Sequence, residues 1–156
     1  MIIHRLAKPT DVDLYFKWAN EDQARKNSYS QKKIDYQTHV NWFNASLKDE
    51  NSLMLVFEYE TGMAIGQIRF ERHNSDTIIR ISIDKDFRGR LLAKQMIMDA
   101  CEYFFSLFPG DLVRAYIRKE NMASVRAFEH SGFTFEKETT VNDIPSFVYT
   151  ITNTKS

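Results

Sequence analysis

A short basic turn offers the first chemistry in this 156-residue sequence. Arg88, Gly89 and Arg90 follow a strand-like run that ends near Ile83, and they precede a helical pattern that begins at Leu91. The first N–H groups of a helix have no intrahelical acceptor and lie at the positive end of its dipole, so they bind phosphate well. The two arginines would add charge-assisted hydrogen bonds to such an anion. The segment predicts an anion site, although a solvated basic turn has the same local sequence.

A second polar pattern follows a later strand directly. Asn121, Ser124 and Phe128 have the spacing i, i+3 and i+7, so they lie on one stripe of a helix. Asn121 also suits a simple N-cap, and Phe128 also suits a core position.

The elements that must position these residues form one α/β (α+β) domain over residues 1–156, because no repeat, linker or block of like charge divides the chain. The pattern predicts the order β-α-α-β-β-β-α-β-α-β-β. In the third strand, Ile79, Ile81 and Ile83 alternate with polar residues, so we expect one buried and one polar face. The expected strands are 2–5, 53–60, 63–72, 76–84, 112–117, 133–141 and 146–151; the expected helices run from Thr10 to about Asn20 and over 36–48, 91–108 and 122–131, with a loop over 21–30.

Composition excludes several classes of protein. Lys plus Arg and Asp plus Glu both number 21 and the isoelectric point is near 6.9, which disfavours a nucleic-acid-binding function. The single cysteine, Cys101, has no partner for a disulfide or a metal site, and it lies among apolar residues of a helix. No signal peptide or membrane-spanning run is evident, so we expect a cytoplasmic protein without bound metal or membrane contact.

The two segments together resemble the GNAT superfamily of acetyl-CoA-dependent N-acetyltransferases, over nearly the whole chain. Residues 88–93 are similar to the family's (Arg/Gln)-x-x-Gly-x-(Gly/Ala) pyrophosphate loop, and residues 121–133 resemble its second motif. The resemblance implies a mixed central sheet flanked by helices, with acetyl-CoA as co-substrate. It also implies that a backbone N–H near Ile83 polarises the thioester carbonyl. The expected cofactor-binding residues are Ile81, Ser82, Ile83, Arg88, Gly89, Arg90, Leu91, Leu92, Ala93, Asn121, Ser124 and Phe128.

Two positions depart from the family pattern. Leu91 stands where the family has its central glycine, and its branched side chain could crowd the phosphates. Phe128 stands where many relatives have a tyrosine that protonates the departing thiolate, and phenylalanine has no proton to give. These departures keep open a second class of function, a degenerate CoA-binding sensor or interaction module.

The family's base position does not transfer directly either. Some relatives use a glutamate five residues before the motif asparagine, but this chain has Tyr116 there, a poor base at neutral pH. Glu120, directly before the asparagine, is the first candidate, acting through a water; a solvated carboxylate at a helix start is the alternative. Asp84 and His130 are weaker candidates.

The acceptor amine is expected to lie against the first two helices and their loop. The pattern Trp-x-Asn…Arg…Ser…His-x-x-Trp-Phe over residues 18–43 resembles the branch that acetylates amino-sugar nucleotides, and also the ribosomal-protein N-terminal acetyltransferases. Aromatic rings could stack on a base, and cations could meet a diphosphate. A protein N-terminus or another small amine is the alternative acceptor, and the chain could be a monomer or a homodimer. The candidate substrate-binding residues are Asn20, Arg25, Tyr36, His39 and Trp42, with Lys26 as a further cation.

Overall fold

A computed structural model describes residues 1–154 of the chain. Within these residues, seven strands and five helices follow one another, with 3-10 turns at Pro9–Asp11 and Lys85–Phe87. The strands are β1 (Ile2–Leu6), β2 (Ser52–Tyr59), β3 (Ala64–His73), β4 (Asp76–Ile83), β5 (Leu112–Arg118), β6 (Thr134–Val141) and β7 (Ile144–Thr152). The helices are α1 (Val12–Asn20), α2 (Asp22–Asn27), α3 (Tyr36–Lys48), α4 (Leu92–Leu107) and α5 (Met122–His130).

All seven strands belong to one mixed sheet, in the order β1-β2-β3-β4-β5-β7-β6. The neighbouring strands are antiparallel except β4 and β5, which are parallel. The parallel ladder covers only Asp76–Ile78 of β4 and Leu112–Arg114 of β5, although both strands continue beyond it. The two strands therefore diverge in the middle of the sheet.

Two hydrophobic clusters cover the two faces of the sheet. On one face, α4 and α5 pack on the central strands, and Phe70 stacks on Phe104 with ring centroids 4.4 Å apart. On the other, Tyr15, Trp18 and Phe43 of α1 and α3 pack on β2. We call these the α4–α5 face and the α1–α3 face.

A buried carboxylate secures the closed end of the diverging strands. Asp111 accepts hydrogen bonds from Arg72 Nε (2.8 Å) and from the Thr77 hydroxyl (2.8 Å). Arg72 in turn lies over the ring of Phe108, with Cζ 3.7 Å from the centroid. These contacts join β3, β4 and the start of β5 just before the strands separate.

The sheet and the order of elements confirm the predicted fold, with one helix added. The segment 21–30, expected as a loop, contains α2, because Glu21 accepts hydrogen bonds from the N–H groups of Gln23 and Ala24 as an N-cap. Acidic Asp22 in the first turn and basic residues in the last turn suit the helix dipole.

The start of α1 also differs from the expectation. The helix begins at Val12 after a 3-10 turn, and Thr10 lies inside that turn. The Asp11 carboxylate accepts hydrogen bonds from the Lys8 N–H (2.8 Å) and the Arg5 guanidinium (2.8 and 2.9 Å), and Asp11 is the N-cap, one residue later than Thr10.

Candidate active site

The gap between β4 and β5 gives the site its shape. Ile79, Ile81 and Ile83 pack into the α4–α5 cluster, so Arg80 and Ser82 lie on the α1–α3 face. The same alternation on β5 places its even-numbered residues, Tyr116 among them, on the α1–α3 face, because Val113, Ala115 and Ile117 belong to the core. Because the β4–β5 ladder ends at Ile78, the candidate residues Ile81, Ser82 and Ile83 of β4 lie along one edge of the gap.

The backbone of β4 leaves hydrogen-bonding groups at this edge. The Asp84 N–H donates to the Ile65 carbonyl across the β3 side, at 2.8 Å. Successive residues of a strand direct their N–H groups to opposite edges, so the Ile83 N–H is directed to the gap. An extended ligand arm could pair with these groups as an added strand would.

A glycine that the sequence analysis did not single out makes this edge possible. A Cβ on Gly66 of β3 would lie 2.4 Å from the Ser82 carbonyl oxygen and 3.1 Å from the Ile83 Cα. The close approach of β3 to the end of β4 therefore requires glycine. Its sequence signal is a glycine inside a strand pattern.

The turn before α4 has no side-chain cap among the residues described. Leu91 occupies the N-cap position with φ +59°, and its side chain is 93% exposed. Gly89 has φ +78° and Arg90 lies over the Phe87 ring, with Cζ 5.1 Å from the centroid. The uncapped first turn of α4 fits an anion.

The Arg88 guanidinium is engaged within the protein. Its Nε donates to the Ile83 carbonyl (3.1 Å) and its Nη2 to the Glu21 carboxylate (2.6 Å). This hydrogen bond is the main cause that lowers the pKa of Glu21 to about 2. Arg88 thus joins α2 to the end of β4, a contact that the sequence analysis did not anticipate.

The predicted residues of α5 have different positions. The Asn121 side chain accepts a hydrogen bond from the Ser124 N–H at 3.4 Å and caps α5. Phe128 is buried, with its ring 4.9 Å from that of Phe133 in an edge-to-face arrangement. Phe128 is therefore a core residue, while Asn121 and Ser124 lie near the end of β5.

Two of the base candidates, Glu120 and Asp84, follow the ends of β5 and β4. Glu120 forms an ion pair with Arg118 and remains largely exposed. Asp84 is buried; burial alone would raise its pKa, but hydrogen bonds from the Asp86 N–H, Trp18 and Lys17 outweigh it, so the pKa is lowered. A lowered pKa makes Asp84 a weaker base. His130 is exposed at the last residue of α5.

Three of the five predicted acceptor residues hold backbone in place. The Asn20 side-chain amide donates to the Ile34 carbonyl (2.8 Å) and accepts from the Ile34 N–H (2.7 Å). Arg25 donates to the carbonyls of Ser30 and Lys32. Buried His39 contacts the Val12 carbonyl through Nε2 at 2.8 Å. These partners position the segment after α1. Residue type alone does not reveal these tertiary contacts.

The other two predicted acceptor residues remain accessible. Tyr36 is exposed and its hydroxyl donates to Asp13 at 2.6 Å. Trp42 is 36% exposed, and the Arg69 Cζ lies 4.9 Å from the centroid of its ring.

Arginines of the sheet, absent from the predicted site, dominate the α1–α3 face. Arg118 is buried; it donates to the carbonyls of Lys26 and Ser28 and so joins the end of β5 to the last turn of α2 and its C-cap. Arg69 and Arg80 lie opposite each other on β3 and β4. The signal that could have found them is a charged residue on the polar face of each alternating strand.

Comparisons with known proteins assign the family. A model of the GNAT acetyltransferase domain matches residues 1–134, so the chain belongs to the GNAT acetyltransferase family. The enzyme is therefore an acetyl-CoA-dependent N-acetyltransferase. No curated protein matches the sequence.

Solved structures share the fold at low identity. A spermidine N-acetyltransferase from Vibrio cholerae, in complex with CoA and spermine, is 18% identical with a TM-score of 0.86, covering 99% of this chain and 96% of that chain. The aminoglycoside acetyltransferase AAC(6')-Ib, in complex with coenzyme A and kanamycin, is 15% identical with a TM-score of 0.82, covering 97% and 95%. Within the described part of this chain, no helix is long and apolar enough to span a membrane.

Proposed function

We propose that the enzyme acetylates the primary amine of an amino-sugar nucleotide of the UDP-4-amino-sugar type, by direct attack in a ternary complex with acetyl-CoA. The observation that carries the proposal is the pair of guanidiniums from Arg69 and Arg80 on the α1–α3 face, which share a single carboxylate, Glu71. Such a face attracts an acceptor that carries phosphates and repels a polycation such as spermine.

The free edge of β4 supports the acyl-transfer step. As the amine attacks the thioester carbon, the carbonyl oxygen gains negative charge, and a donor aimed at that oxygen stabilises the transition state. The Ile83 N–H, directed to the gap, is the proposed donor. Loss of one such donor costs about 3 kcal/mol in a well-studied enzyme.

Proton transfer is assigned to groups at the open end of the gap. Glu120, at the end of β5, accepts the amine proton through a water. Tyr116, on the same strand and on the α1–α3 face, is the proposed relay. Because Phe128 has no hydroxyl, the departing thiolate takes its proton from water.

The test is a panel of amines assayed with acetyl-CoA under equal conditions. The panel contains a UDP-4-amino-4,6-dideoxy-sugar, the corresponding sugar without nucleotide, spermidine and a peptide with a free N-terminus. We expect the highest kcat/KM for the sugar nucleotide, and a much lower value for the free sugar. Preference for spermidine or for the peptide would replace the proposed acceptor by that amine.

A further inference from the structure

Two arginines face each other across β3 and β4 on the α1–α3 face. Arg69 and Arg80 are directly opposed in the register, an arrangement that destabilises a sheet when the charges are alike. Both bond the same carboxylate, Glu71, at 3.2 Å. One carboxylate thus serves two guanidiniums, and a positive charge remains uncompensated.

Burial makes this charge excess more unfavourable. Desolvation first, and then the charge of Arg80, lower the pKa of the Arg69 guanidinium. Arg114 on β5 provides a contrast, because it pairs with both Asp76 and Glu136. The Arg69–Arg80 pair therefore has one carboxylate for two guanidiniums, whereas Arg114 has two carboxylates for one.

The pair is accessible and has an aromatic neighbour. The Arg80 side chain is 42% exposed and that of Arg69 is 23% exposed. Arg69 also lies over the ring of Trp42, itself partly exposed on α3. A planar ring and an anion could contact Trp42 and the arginines together.

The position along the sheet relates this pair to the reaction centre. Arg80 precedes Ile83 by three residues on β4, a distance of about 10 Å at 3.3 Å per residue. Between them, buried Gln67 faces Ser82, and its Oε1 has no hydrogen-bond partner among the residues described. An acceptor with its amine at Ile83 would place a sugar ring beside Gln67 and a phosphate at Arg80.

We propose that Arg80, Arg69 and Trp42 form the subsite for the nucleoside diphosphate part of the acceptor. The arginines bind the phosphates and Trp42 stacks on the base. The inference rests on the proposed function and specifies the residues that would recognise its substrate.

The test is a calorimetric titration of the full chain with UDP, with pyrophosphate and with uridine, in the presence of saturating CoA. CoA fills the other phosphate-binding loop, so that the titrated anion reports on this face alone. We expect UDP to bind, and Arg80→Met to weaken its binding at least tenfold. Arg114→Met, on the same face but fully paired with carboxylates, should stay within twofold of the unmodified protein. Trp42→Leu should weaken UDP and uridine binding but leave pyrophosphate binding unchanged.

A stability measurement separates recognition from folding. Because Arg80→Met removes a like-charge contact, its melting temperature should be equal to or above that of the unmodified protein. The subsite would be overturned if saturating CoA abolished UDP binding. It would also be overturned if Arg80→Met bound UDP as tightly as the unmodified protein. Should UDP bind through these residues while amino-sugar nucleotides are not acetylated, the proposed function fails and the subsite stands.

Discussion

Leu91 combines an unusual backbone conformation with an almost fully exposed side chain in the turn before α4. A left-handed conformation costs a residue with a Cβ about 1–2 kcal/mol. Glycine avoids that cost but loses about 0.5–1 kcal/mol more backbone entropy on folding. We expect Leu91→Gly to raise the free energy of unfolding by up to about 1 kcal/mol, as measured by urea denaturation, and to lower the Kd for CoA because the phosphates come closer to the backbone.

The variant Leu91→Ala separates crowding from conformation. It keeps a Cβ in the left-handed region and removes the branched side chain. If crowding weakens CoA binding, alanine should recover most of the affinity gained by glycine. Weaker CoA binding in both variants would show that the leucine side chain itself contributes to the site.

Glu120 is the residue on which the proposed proton transfer depends. We expect Glu120→Gln to lower kcat by about 10²-fold or more, since general bases contribute about 10²–10⁴-fold. The calorimetric Kd for acetyl-CoA should remain within about threefold. Glu138→Gln is the matched control, because Glu138 is similarly exposed and pairs with Lys119 on the neighbouring segment. Unchanged turnover in Glu120→Gln at neutral pH would remove Glu120 from the base role.

Helix α2 is stabilised by its N-cap residue, Glu21, and by the contact of Glu21 with Arg88, which is distant in sequence. Glu21 caps the helix and pairs with Arg88, so the segment before the acceptor loop is joined to the end of β4. We expect Glu21→Gln and Arg88→Met each to destabilise the protein, and the double variant to lose about 0.5–1 kcal/mol less than the sum. Thermal denaturation of the four proteins gives this coupling free energy.

An exposed ion pair on the same helix serves as control. Asp22 pairs with Lys33 at 2.8 Å, but both side chains are largely exposed. Such pairs contribute about 0–1 kcal/mol, so Asp22→Asn should leave the melting temperature nearly unchanged. Strict additivity of Glu21→Gln and Arg88→Met would show that the two residues act independently.

Elements with strong periodicity were predictable from the sequence, and α2 was not. Long helices and alternating strands can be predicted from the sequence because burial of one face imposes a regular spacing of apolar residues. The six residues of α2 carry no apolar stripe, and the helix is stabilised by its Glu21 cap and by Arg88, which lies 67 residues away. Local sequence contains no signal for such a contact.

The same limit applies to the site. The turn before α4, predicted as an anion site, and the polar face of β4 could be located from the order of residue types. The roles of Arg25 and His39 depended on which backbone carbonyls they meet, which only the folded chain determines. The opposed pair Arg69 and Arg80 required the register of β3 and β4.

Across the whole molecule, buried carboxylates link stability to pH. Asp11, Asp84 and Asp111 are buried, and the pKa of each carboxyl is lowered. For Asp11 and Asp84, burial alone would raise the pKa, but hydrogen bonds to the carboxylate outweigh this effect. For Asp111, the hydrogen bond from Arg72 is the main cause of the lowered pKa. The unfolded chain therefore binds protons more readily than the folded one. These carboxylates stabilise the fold fully above about pH 4, and the stabilisation is lost as pH falls below that value.

Thermal denaturation between pH 7 and pH 2.5 measures this dependence. We expect the melting temperature to fall steeply on the acid side. Asp111→Asn should lower the free energy of unfolding by about 1–3 kcal/mol at pH 7, because it removes the carboxylate that accepts from Arg72 and Thr77, and should flatten the acid dependence. A melting temperature independent of pH over this range would contradict the account of the buried carboxylates.

Every functional step described above requires that acetyl-CoA bind between the diverging strands with its phosphates at the turn before α4. A calorimetric titration of the purified protein with acetyl-CoA tests this requirement most directly. The account predicts one site with micromolar affinity despite Leu91, and competition by CoA at the same site. Absence of binding up to millimolar acetyl-CoA would contradict it and would favour a degenerate module that keeps the fold without the reaction.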